Sequence, residues 1–354
     1  MKQFFIIISI LGIISCSNNI KEGNLEKTQP KILRINVTSK VKTLFPPAIS
    51  DLSSMQVASQ IYEGLVKYNP YDLSIVPAVA ESWSINEDMT EFTFKIRKGV
   101  YFHDNECFPE GKGRQVTAED VKFSLTQLCS QQQPNKNFIS ILSKVVGAKE
   151  YYNQSKDGNP AKEIGGLQVV DNMTFKIILT KPMPYFLNSL ALPYASIYPK
   201  EAYDKYKEKL FVGVGPYYIK EYPNNDIIIL LKNPNYYKYD ENKMQLPYID
   251  TLEIGLENSV LADMKDFEEG KLDIIMGIPE AYVSEFMERN ISNFESKTPK
   301  YVINKFSENG NNTMYNLYNS NIHNFFTNNM NILDLSIVYF EEPIIIEKDS
   351  TLLN

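Results

Sequence analysis

The sequence predicts an α/β fold with a mixed β-sheet. Apolar strand patterns at residues 252–256 and 272–275 flank a helical pattern at residues 259–269, and this strand–helix–strand order is typical of a crossover unit. Apolar and polar residues alternate strictly at positions 91–97, which indicates a half-buried antiparallel strand as well. A chain that carries both patterns is expected to build a mixed sheet covered by helices.

The first sixteen residues predict an exported, lipid-anchored protein. Lys2 precedes an apolar run at residues 4–14, about half the roughly 20 residues that a membrane-spanning helix needs. Ile13-Ile14-Ser15-Cys16 then resembles the lipobox of bacterial lipoproteins, which implies that residues 1–15 are a signal peptide and that Cys16 becomes the lipidated amino terminus. Polar residues 16–30 are expected to be a flexible tether. The alternative is a buried strand or helix with Cys16 as a small core residue.

Composition and charge exclude several classes of function. The chain is 43% hydrophobic and 22% charged, with a net charge of −7, and it has no cluster of Lys and Arg, so we expect no nucleic-acid partner. Two histidines, His103 and His323, and the lack of a CxxC or HExxH pattern predict no metal site and no cofactor. In an exported chain Cys107 and Cys129 could form a disulfide, and the sequence leaves this open.

No motif for catalysis is present. We find no G-x-S-x-G, no P-loop and no G-x-G-x-x-G after a strand, and only His103 could serve as a base. The sequence therefore predicts a protein that is not an enzyme.

In the first half of the chain, residues 32–37 form an apolar strand pattern and residues 53–66 a helical one, with Met55, Ala58, Ile61, Tyr62 and Leu65 on one face. The strand at 91–97 places Phe92, Phe94 and Ile96 on its buried face, and we expect Lys98-Gly99 to turn it into a hairpin with residues 100–102. Arg97 and His103 flank that turn and are expected to form a surface pair. We expect Trp83 to be a core residue.

A helix is predicted to begin at Thr117, because Thr117 and Asp120 have the spacing of a capping box. Val121, Leu125 and Leu128 then recur on one face of that helix, which we expect to be buried.

The second half of the chain has further strand patterns at residues 173–179, 217–219 and 227–231, and Gly215-Pro216 is expected to fix a turn. In the helix at 259–269 we expect Leu261, Met264 and Phe267 to point inward and Gly270 to end the helix. Residues 303–332 contain eleven Asn and show no clear period, which indicates either a biased coding composition with loss of constraint or an interaction tail.

Several ordered sequence blocks resemble one known family. They are IYEGLV (61–66), PAVAESW (77–83), FTFKIRKGVYFHD (92–104), VTAEDVKFS (116–124), GVGPY (213–217), NPNYY (233–237), LPYID (246–250) and EGKLDI (269–274). In this order they resemble the family 5 solute-binding proteins that serve oligopeptide, dipeptide and nickel importers. The resemblance extends over about 250 residues of the chain.

This resemblance implies a periplasmic-binding-protein type II-like fold, in which two lobes close on a solute. Residues 31–278 would be lobe I, with a hairpin-rich subdomain at about 44–165 inserted in the core subdomain. Residues 279–354 would be an incomplete start of lobe II and an Asn-rich tail. The second lobe is thus expected to be largely missing, as after a frameshift or a premature stop.

The resemblance also implies candidate site residues and partners. Positions that face the cleft in the family map onto Ser50, Asp51, Leu52 and Phe123. The expected function is the substrate-binding component of an ABC importer, which captures peptides or another small solute outside the cytoplasmic membrane and delivers them to permease subunits. Because one lobe cannot enclose a ligand, we expect this copy to be impaired and to bind peptides no tighter than about millimolar.

Two alternatives stay open. One is a single-lobe surface lipoprotein that acts as an interaction module, and the other is a receptor for a nickel chelate or another small solute. An exposed apolar surface through which the domain oligomerises would favour the interaction module.

Overall fold

The computed structural model describes residues 29–158, 160, 162–221, 227–256, 259–308, 312–325 and 333–341. Its strands are β1 (Ile32–Val37), β2 (Val66–Tyr68), β3 (Ile75–Pro77), β4 (Ala80–Ile85), β5 (Glu91–Ile96), β6 (Leu167–Asp171), β7 (Thr174–Ile178), β8 (Tyr217–Glu221), β9 (Ile227–Lys232), β10 (Thr251–Leu256), β11 (Ile274–Pro279), β12 (Tyr301–Glu308), β13 (Asn312–Asn319), β14 (Ile322–His323) and β15 (Tyr339–Phe340). Its α-helices are α1 (Leu52–Ile61), α2 (Ala118–Leu128), α3 (Phe138–Ile141), α4 (Ala148–Gln154), α5 (Phe186–Leu190), α6 (Lys200–Tyr206), α7 (Val260–Glu268), α8 (Glu280–Arg289) and α9 (Ile291–Phe294).

The larger sheet is mixed, as the sequence predicted. Among the described residues it has seven strands in the order β12-β13-β11-β1-β10-β9-β8. β1 runs parallel to both of its neighbours, and Ile35 is paired with Ile254 on one side and Ile274 on the other. The remaining pairs are antiparallel. Leu33 and Ile35 lie on the face of β1 that packs on the core and are fully buried, whereas Arg34 on the opposite face is partly exposed.

A second, four-stranded antiparallel sheet has the order β4-β5-β7-β6. Phe92, Phe94 and Ile96 of β5 are buried, while Thr93 is half-buried and Lys95 exposed, so the predicted alternation is confirmed. The predicted hairpin with residues 100–102 is wrong. β5 pairs with β4 and β7 instead, and Tyr101 forms an isolated bridge to Gln115.

Helix α1 is shorter than predicted, since it ends at Ile61 rather than at residue 66. The chain segment at Gly213–Gly215 passes directly over this end, and the amide of Gly215 donates a hydrogen bond to the Ile61 carbonyl at 2.9 Å. A Cβ atom on Gly213 would lie 2.1 Å from that carbonyl oxygen. Only glycine permits so close an approach of two backbones, which explains the Gly at this position.

Helix α2 begins as predicted. The Asp120 carboxylate accepts hydrogen bonds from the backbone amide of Thr117 at 2.9 Å and from its hydroxyl at 3.0 Å. Val121, Leu125 and Leu128 are buried, which confirms the predicted inward face.

Helix α7 agrees with the prediction in part. Ser259 caps it, Met264 and Phe267 are buried, and Gly270 follows with φ +74. Leu261, predicted to point inward, is 60% exposed. Successive residues of an α-helix are about 100° apart around its axis. Leu261 and Phe267, six residues apart, therefore lie about 120° apart, and Leu261 is outside the buried face.

The Asn-rich stretch shows no clear period in the sequence, yet residues 301–308 and 312–319 have regular structure. β12 and β13 form an antiparallel hairpin. β13 also pairs with β11, so the hairpin is part of the large sheet. Leu317 is fully buried, and the buried Asn316 accepts a hydrogen bond from the Gly277 amide at 3.2 Å. Part of the Asn content therefore has a structural role.

The buried apolar residues in the described part of the chain form two clusters. The larger one lies between the two sheets and α1, α2 and α5, and Phe94, Phe175 and Phe186 are fully buried in it. The smaller one joins α7 and α8 to β11–β13 through Phe267, Phe286 and Leu317. In the described part of the chain, no helix has the length and apolar character needed to cross a membrane.

Candidate functional site

The amino-terminal end of α1 lies beside the carboxyl end of β1. The Ser53 hydroxyl is 2.9 Å from that of Ser39, which follows β1 by two residues. The Ser54 hydroxyl accepts hydrogen bonds from the amides of Lys42 and Thr43. These contacts fix the loop after β1 against the helix. In α/β proteins ligands bind outside the carboxyl ends of parallel strands, so this is a candidate face for a ligand.

Ser50, Asp51 and Leu52 are consecutive residues at the start of α1, beside this face. Ser50 is exposed, and its hydroxyl accepts a hydrogen bond from Lys136 at 3.3 Å. The Asp51 carboxylate caps α1 and accepts from the amide and hydroxyl of Ser54 at 2.9 and 3.0 Å. Leu52 is half-buried. The Asp51 carboxylate is thus used in capping the helix, and Ser50 is the most accessible of the three residues.

Phe123 lies in a different environment from the first three residues. Its ring packs edge-on against Tyr198 and Tyr203, with centroids 6.0 and 5.7 Å apart. Tyr203 stacks in turn on Phe45 at 6.1 Å. The described contacts of Phe123 are thus those of an aromatic packing residue between α2 and α6, and its side chain is only partly buried.

Glu63, just after α1, is the centre of a buried polar network that the sequence analysis missed. It accepts hydrogen bonds from the hydroxyls of Tyr236 at 2.9 Å and Tyr237 at 2.6 Å, and from the Lys238 ammonium at 3.1 Å. Lys67 lies 3.8 Å from Glu63 and 2.7 Å from Asp334. Two blocks quoted above, IYEGLV and NPNYY, meet in space at this point.

The network balances two carboxylates against two ammonium groups. Burial alone would raise the pKa of Glu63, but Lys238 and Lys67 hold it below its ordinary value. Burial likewise opposes ionisation of Asp334, yet Lys67 and Lys238 lower its pKa. Burial dominates at Lys238 and lowers its pKa to about 8. Such a set of paired charges can hold chain segments together. The sequence contained one indication of this buried network, since Glu63 and Lys67 lie four residues apart in an apolar stretch.

His103 is buried and does not form the predicted surface pair with Arg97. Its Nε2 donates to the Gly215 carbonyl at 2.9 Å, and its Nδ1 accepts from the Gly213 amide at 3.3 Å. Burial lowers its pKa to about 4. Arg97 instead lies over the ring of Tyr237 at 5.4 Å. The imidazole is therefore a neutral structural group whose two nitrogens are both occupied.

Trp83 and the cysteines are the other residues that the sequence analysis singled out. Trp83 is half-buried on β4 and packs against the larger cluster. Cys107 and Cys129 are both free thiols, so the open disulfide is not formed. Within the described residues no group of three or more His, Cys, Asp or Glu side chains could hold a metal ion. Cys16, the predicted lipidation site, lies outside the described residues.

Comparison with known sequences gives one family. The family model described as "Bacterial extracellular solute-binding proteins, family 5 Middle" matches residues 74–331. The chain is 32% identical over 201 residues to the dipeptide-binding protein of Escherichia coli K12, covering 54% of this chain and 34% of that protein. It is also 32% identical over 211 residues to heme-binding protein A of Haemophilus influenzae, covering 57% of this chain and 37% of that protein.

Among solved structures, the chain is similar to the periplasmic oligopeptide-binding protein OppAIV of Borrelia burgdorferi, with a TM-score of 0.64 at 22% identity. The similarity covers 77% of this chain and 51% of that one. The fold is therefore that of a periplasmic binding protein. The chain spans about a third of the two curated relatives and about half of the solved one.

Proposed function

The chain belongs to the bacterial extracellular solute-binding proteins of family 5, and from this premise we propose that it is the solute-binding component of an ABC importer that captures peptides. Members of this family are transport components rather than enzymes. The observation that carries the proposal is the family match over residues 74–331, combined with the fold shared with a periplasmic oligopeptide-binding protein.

The proposed peptide contacts are the backbone and side chains of Ser50, Asp51 and Leu52, with Phe123 as a further contact through the accessible part of its ring. An extended peptide is recognised mainly through its backbone hydrogen bonds, which need exposed partners on the receptor. The exposed Ser50 beside the carboxyl end of β1 supports this assignment. Asn137 donates to the carbonyls of Pro47 and Ile49 at 3.2 and 2.8 Å and so keeps this backbone in a fixed geometry.

Residues 31–278 are proposed to form one lobe of the receptor, with the second lobe starting at residue 279. The proposed partners are ABC permease subunits, and a lipid on Cys16 is proposed to hold the protein at the outer face of the membrane. A face that contacts peptide from one side excludes little water, so we expect a dissociation constant of about 1 mM.

A small solute other than a peptide is the second candidate. The observation in its favour is the heme-binding relative, which is as similar in sequence as the dipeptide-binding one. The two candidates call for one common experiment.

The test is a ligand-observed NMR titration of the full chain with a di- to pentapeptide mixture, and separately with haemin, up to about 10 mM, a range that includes the expected affinity. We expect peptide binding that Ser50→Tyr weakens at least tenfold, because a large ring would cover the proposed contact face. Ser84→Tyr on the exposed face of β4 is the matched control and should leave binding unchanged.

Three results would count against the proposal. Binding of haemin without peptide would favour the second candidate. Equal peptide binding by the Ser50 and Ser84 variants would contradict the assignment of the contact face to Ser50. The absence of binding of either ligand across the concentration range would contradict the proposed receptor function.

A further inference from the structure

The side chain of Lys136 places a cationic group beside Ser50, on the face proposed to contact a peptide. Its Nζ donates to the Ser50 hydroxyl at 3.3 Å. An ammonium group has three N–H donors, and the Lys136 side chain forms no other hydrogen bond and no ion pair with any residue that the structure describes. Lys136 is exposed. Its remaining donors are therefore accessible to a ligand that lies against Ser50.

The loop that carries Lys136 is bonded to the segment that carries Ser50. The Lys136 amide donates to the Pro47 carbonyl at 3.1 Å. The next residue, Asn137, is 8% exposed and donates to the carbonyls of Pro47 at 3.2 Å and Ile49 at 2.8 Å. These bonds hold the two backbones in place before a ligand arrives, and a contact that is positioned in advance loses less entropy on binding.

Positive charge exceeds negative charge in the two segments that meet here. Residues 38–54 contain two lysines and one acid, Asp51, whereas residues 129–137 contain Lys136 and no acid. Both carboxylate oxygens of Asp51 already accept hydrogen bonds from Ser54. With three lysines against one engaged carboxylate, this face favours a ligand group of negative charge.

A third segment packed on this face is uncharged. Residues 193–195 contact residues 46–48, and the stretch 182–199 around them has no Asp, Glu, Lys or Arg. The other two lysines, Lys40 and Lys42, are exposed and form no ion pair with any described residue. No acid in the third segment therefore competes with a ligand for the lysines.

The negative group that an unmodified peptide carries is a carboxylate, at its chain end or on an Asp or Glu side chain. We propose, on the premise that a peptide occupies the face at Ser50, that Lys136 binds a carboxylate of that peptide. One carboxylate oxygen accepts from the Lys136 ammonium. The other accepts from the Ser50 hydroxyl, whose own proton is not used in the bond from Lys136. The site is thereby selective for peptides whose carboxylate reaches this position.

The probes are three tetrapeptides with the same free amino group: tetra-alanine, its carboxy-terminal amide, and the carboxy-terminal amide of Ala-Glu-Ala-Ala. The first carries a carboxylate at its end, the second carries none, and the third carries one on a side chain. Each is titrated into the full chain at low salt and followed by ligand-observed NMR. We expect at least one of the two carboxylate peptides to bind about three- to fivefold more tightly than the tetra-alanine amide, as an exposed ion pair allows. The peptide that gains affinity identifies the source of the carboxylate.

Substitutions of Lys136 test whether its charge causes this preference. In Lys136→Met the preference should fall to about 1.5-fold or less, whereas Lys136→Arg should retain it because the charge is kept. Lys136 is exposed, so neither substitution disturbs the core. Lys98→Met is the matched control, since Lys98 is also an exposed turn lysine with no ion pair among the described residues, and it should retain the preference.

The outcomes separate this assignment from the proposed receptor function. Equal binding of the three probes by the unaltered chain, or a preference that persists in Lys136→Met, would overturn the role of Lys136 and leave the receptor function intact. The absence of binding of every probe would contradict the receptor function itself, and the assignment of Lys136 would fall with it.

Discussion

The ammonium nitrogen of Lys67 lies 2.7 Å from the carboxylate of Asp334, although 267 residues separate the two along the chain. Backbone contacts reinforce this pair, because Gln60 donates to the Leu333 carbonyl at 3.1 Å and accepts from the Leu335 amide at 3.3 Å. Leu335 is fully buried. Residues 333–338 are therefore an integral part of the larger core.

Replacing Lys67 should lower the stability of the whole unit. The side chains of Lys67 and Asp334 are 24% and 15% exposed, between a surface pair and a buried one, so we expect Lys67→Met to lower the free energy of unfolding by about 2 kcal/mol. The measurement is urea denaturation at neutral pH. Lys112→Met is the matched control, because Lys112 forms an ion pair of the same 2.7 Å length while 76% exposed. Equal effects of the two substitutions would show that the Asp334 contact does not hold the segment.

The buried His103 should make the protein less stable in mild acid. Its pKa falls from 6.5 to about 4 on folding, so between these pH values the unfolded chain binds a proton that the folded chain does not. Stability therefore falls as the pH drops from 6.5 to 4, by about 3 kcal/mol over the whole interval. Measured as the free energy of unfolding against pH, this slope should be smaller in His103→Gln. An unchanged slope would contradict the neutral buried imidazole, and His323→Gln at the surface is the control.

The two faces of β5 should respond differently to truncation. Phe94 is fully buried and lies between Trp83 on β4 and Phe175 on β7, so Phe94→Ala should cost about 3–5 kcal/mol. Thr93→Ala, on the opposite face of the same strand, should cost far less. Thermal and urea unfolding of the two variants provide the comparison, and similar losses would mean that both faces of the strand are packed alike.

The proposed anchor can be tested by cell fractionation. Cys16→Ala should leave the protein without lipid and release it from the membrane fraction, because stable anchoring requires the two hydrophobic signals that a lipidated amino-terminal cysteine supplies. Ser17→Ala, one residue further on, should remain in the membrane fraction. Retention of the Cys16 variant would refute the lipid anchor.

The local patterns predicted local structure well. The alternation at Phe92–Phe94–Ile96 and the pairing of Thr117 with Asp120 depend on neighbours within a few residues, and both appear in the structure. The partner of β5 was missed, because the choice between residues 100–102 and β4 depends on the packing of the whole sheet and not on the turn sequence Lys98-Gly99.

The candidate site was harder to predict because its contacts are non-local. Glu63, Lys238 and Asp334 converge from three distant segments, and no periodicity connects them. His103 was predicted to be exposed, since the sequence could not reveal that the backbone of Gly213 and Gly215 would enclose it. Positions 50–52 were chosen from the family resemblance alone; they lie at the start of α1, and their contact with a ligand stays a prediction.

The central position of β1 has a consequence for the time at which the protein can fold. The Arg34 amide donates to a carboxylate oxygen of Asp273, 239 residues later, and contacts of such sequence separation form slowly. At about 5–20 residues per second, the ribosome needs roughly 12–48 s to make the intervening chain. The strands of the four-stranded sheet all lie between Ala80 and Ile178, so that sheet can form earlier. During the delay, Leu33 and Ile35 of β1 lack the sheet partners that later bury them, so the unfinished chain exposes these apolar residues to water and to chaperones.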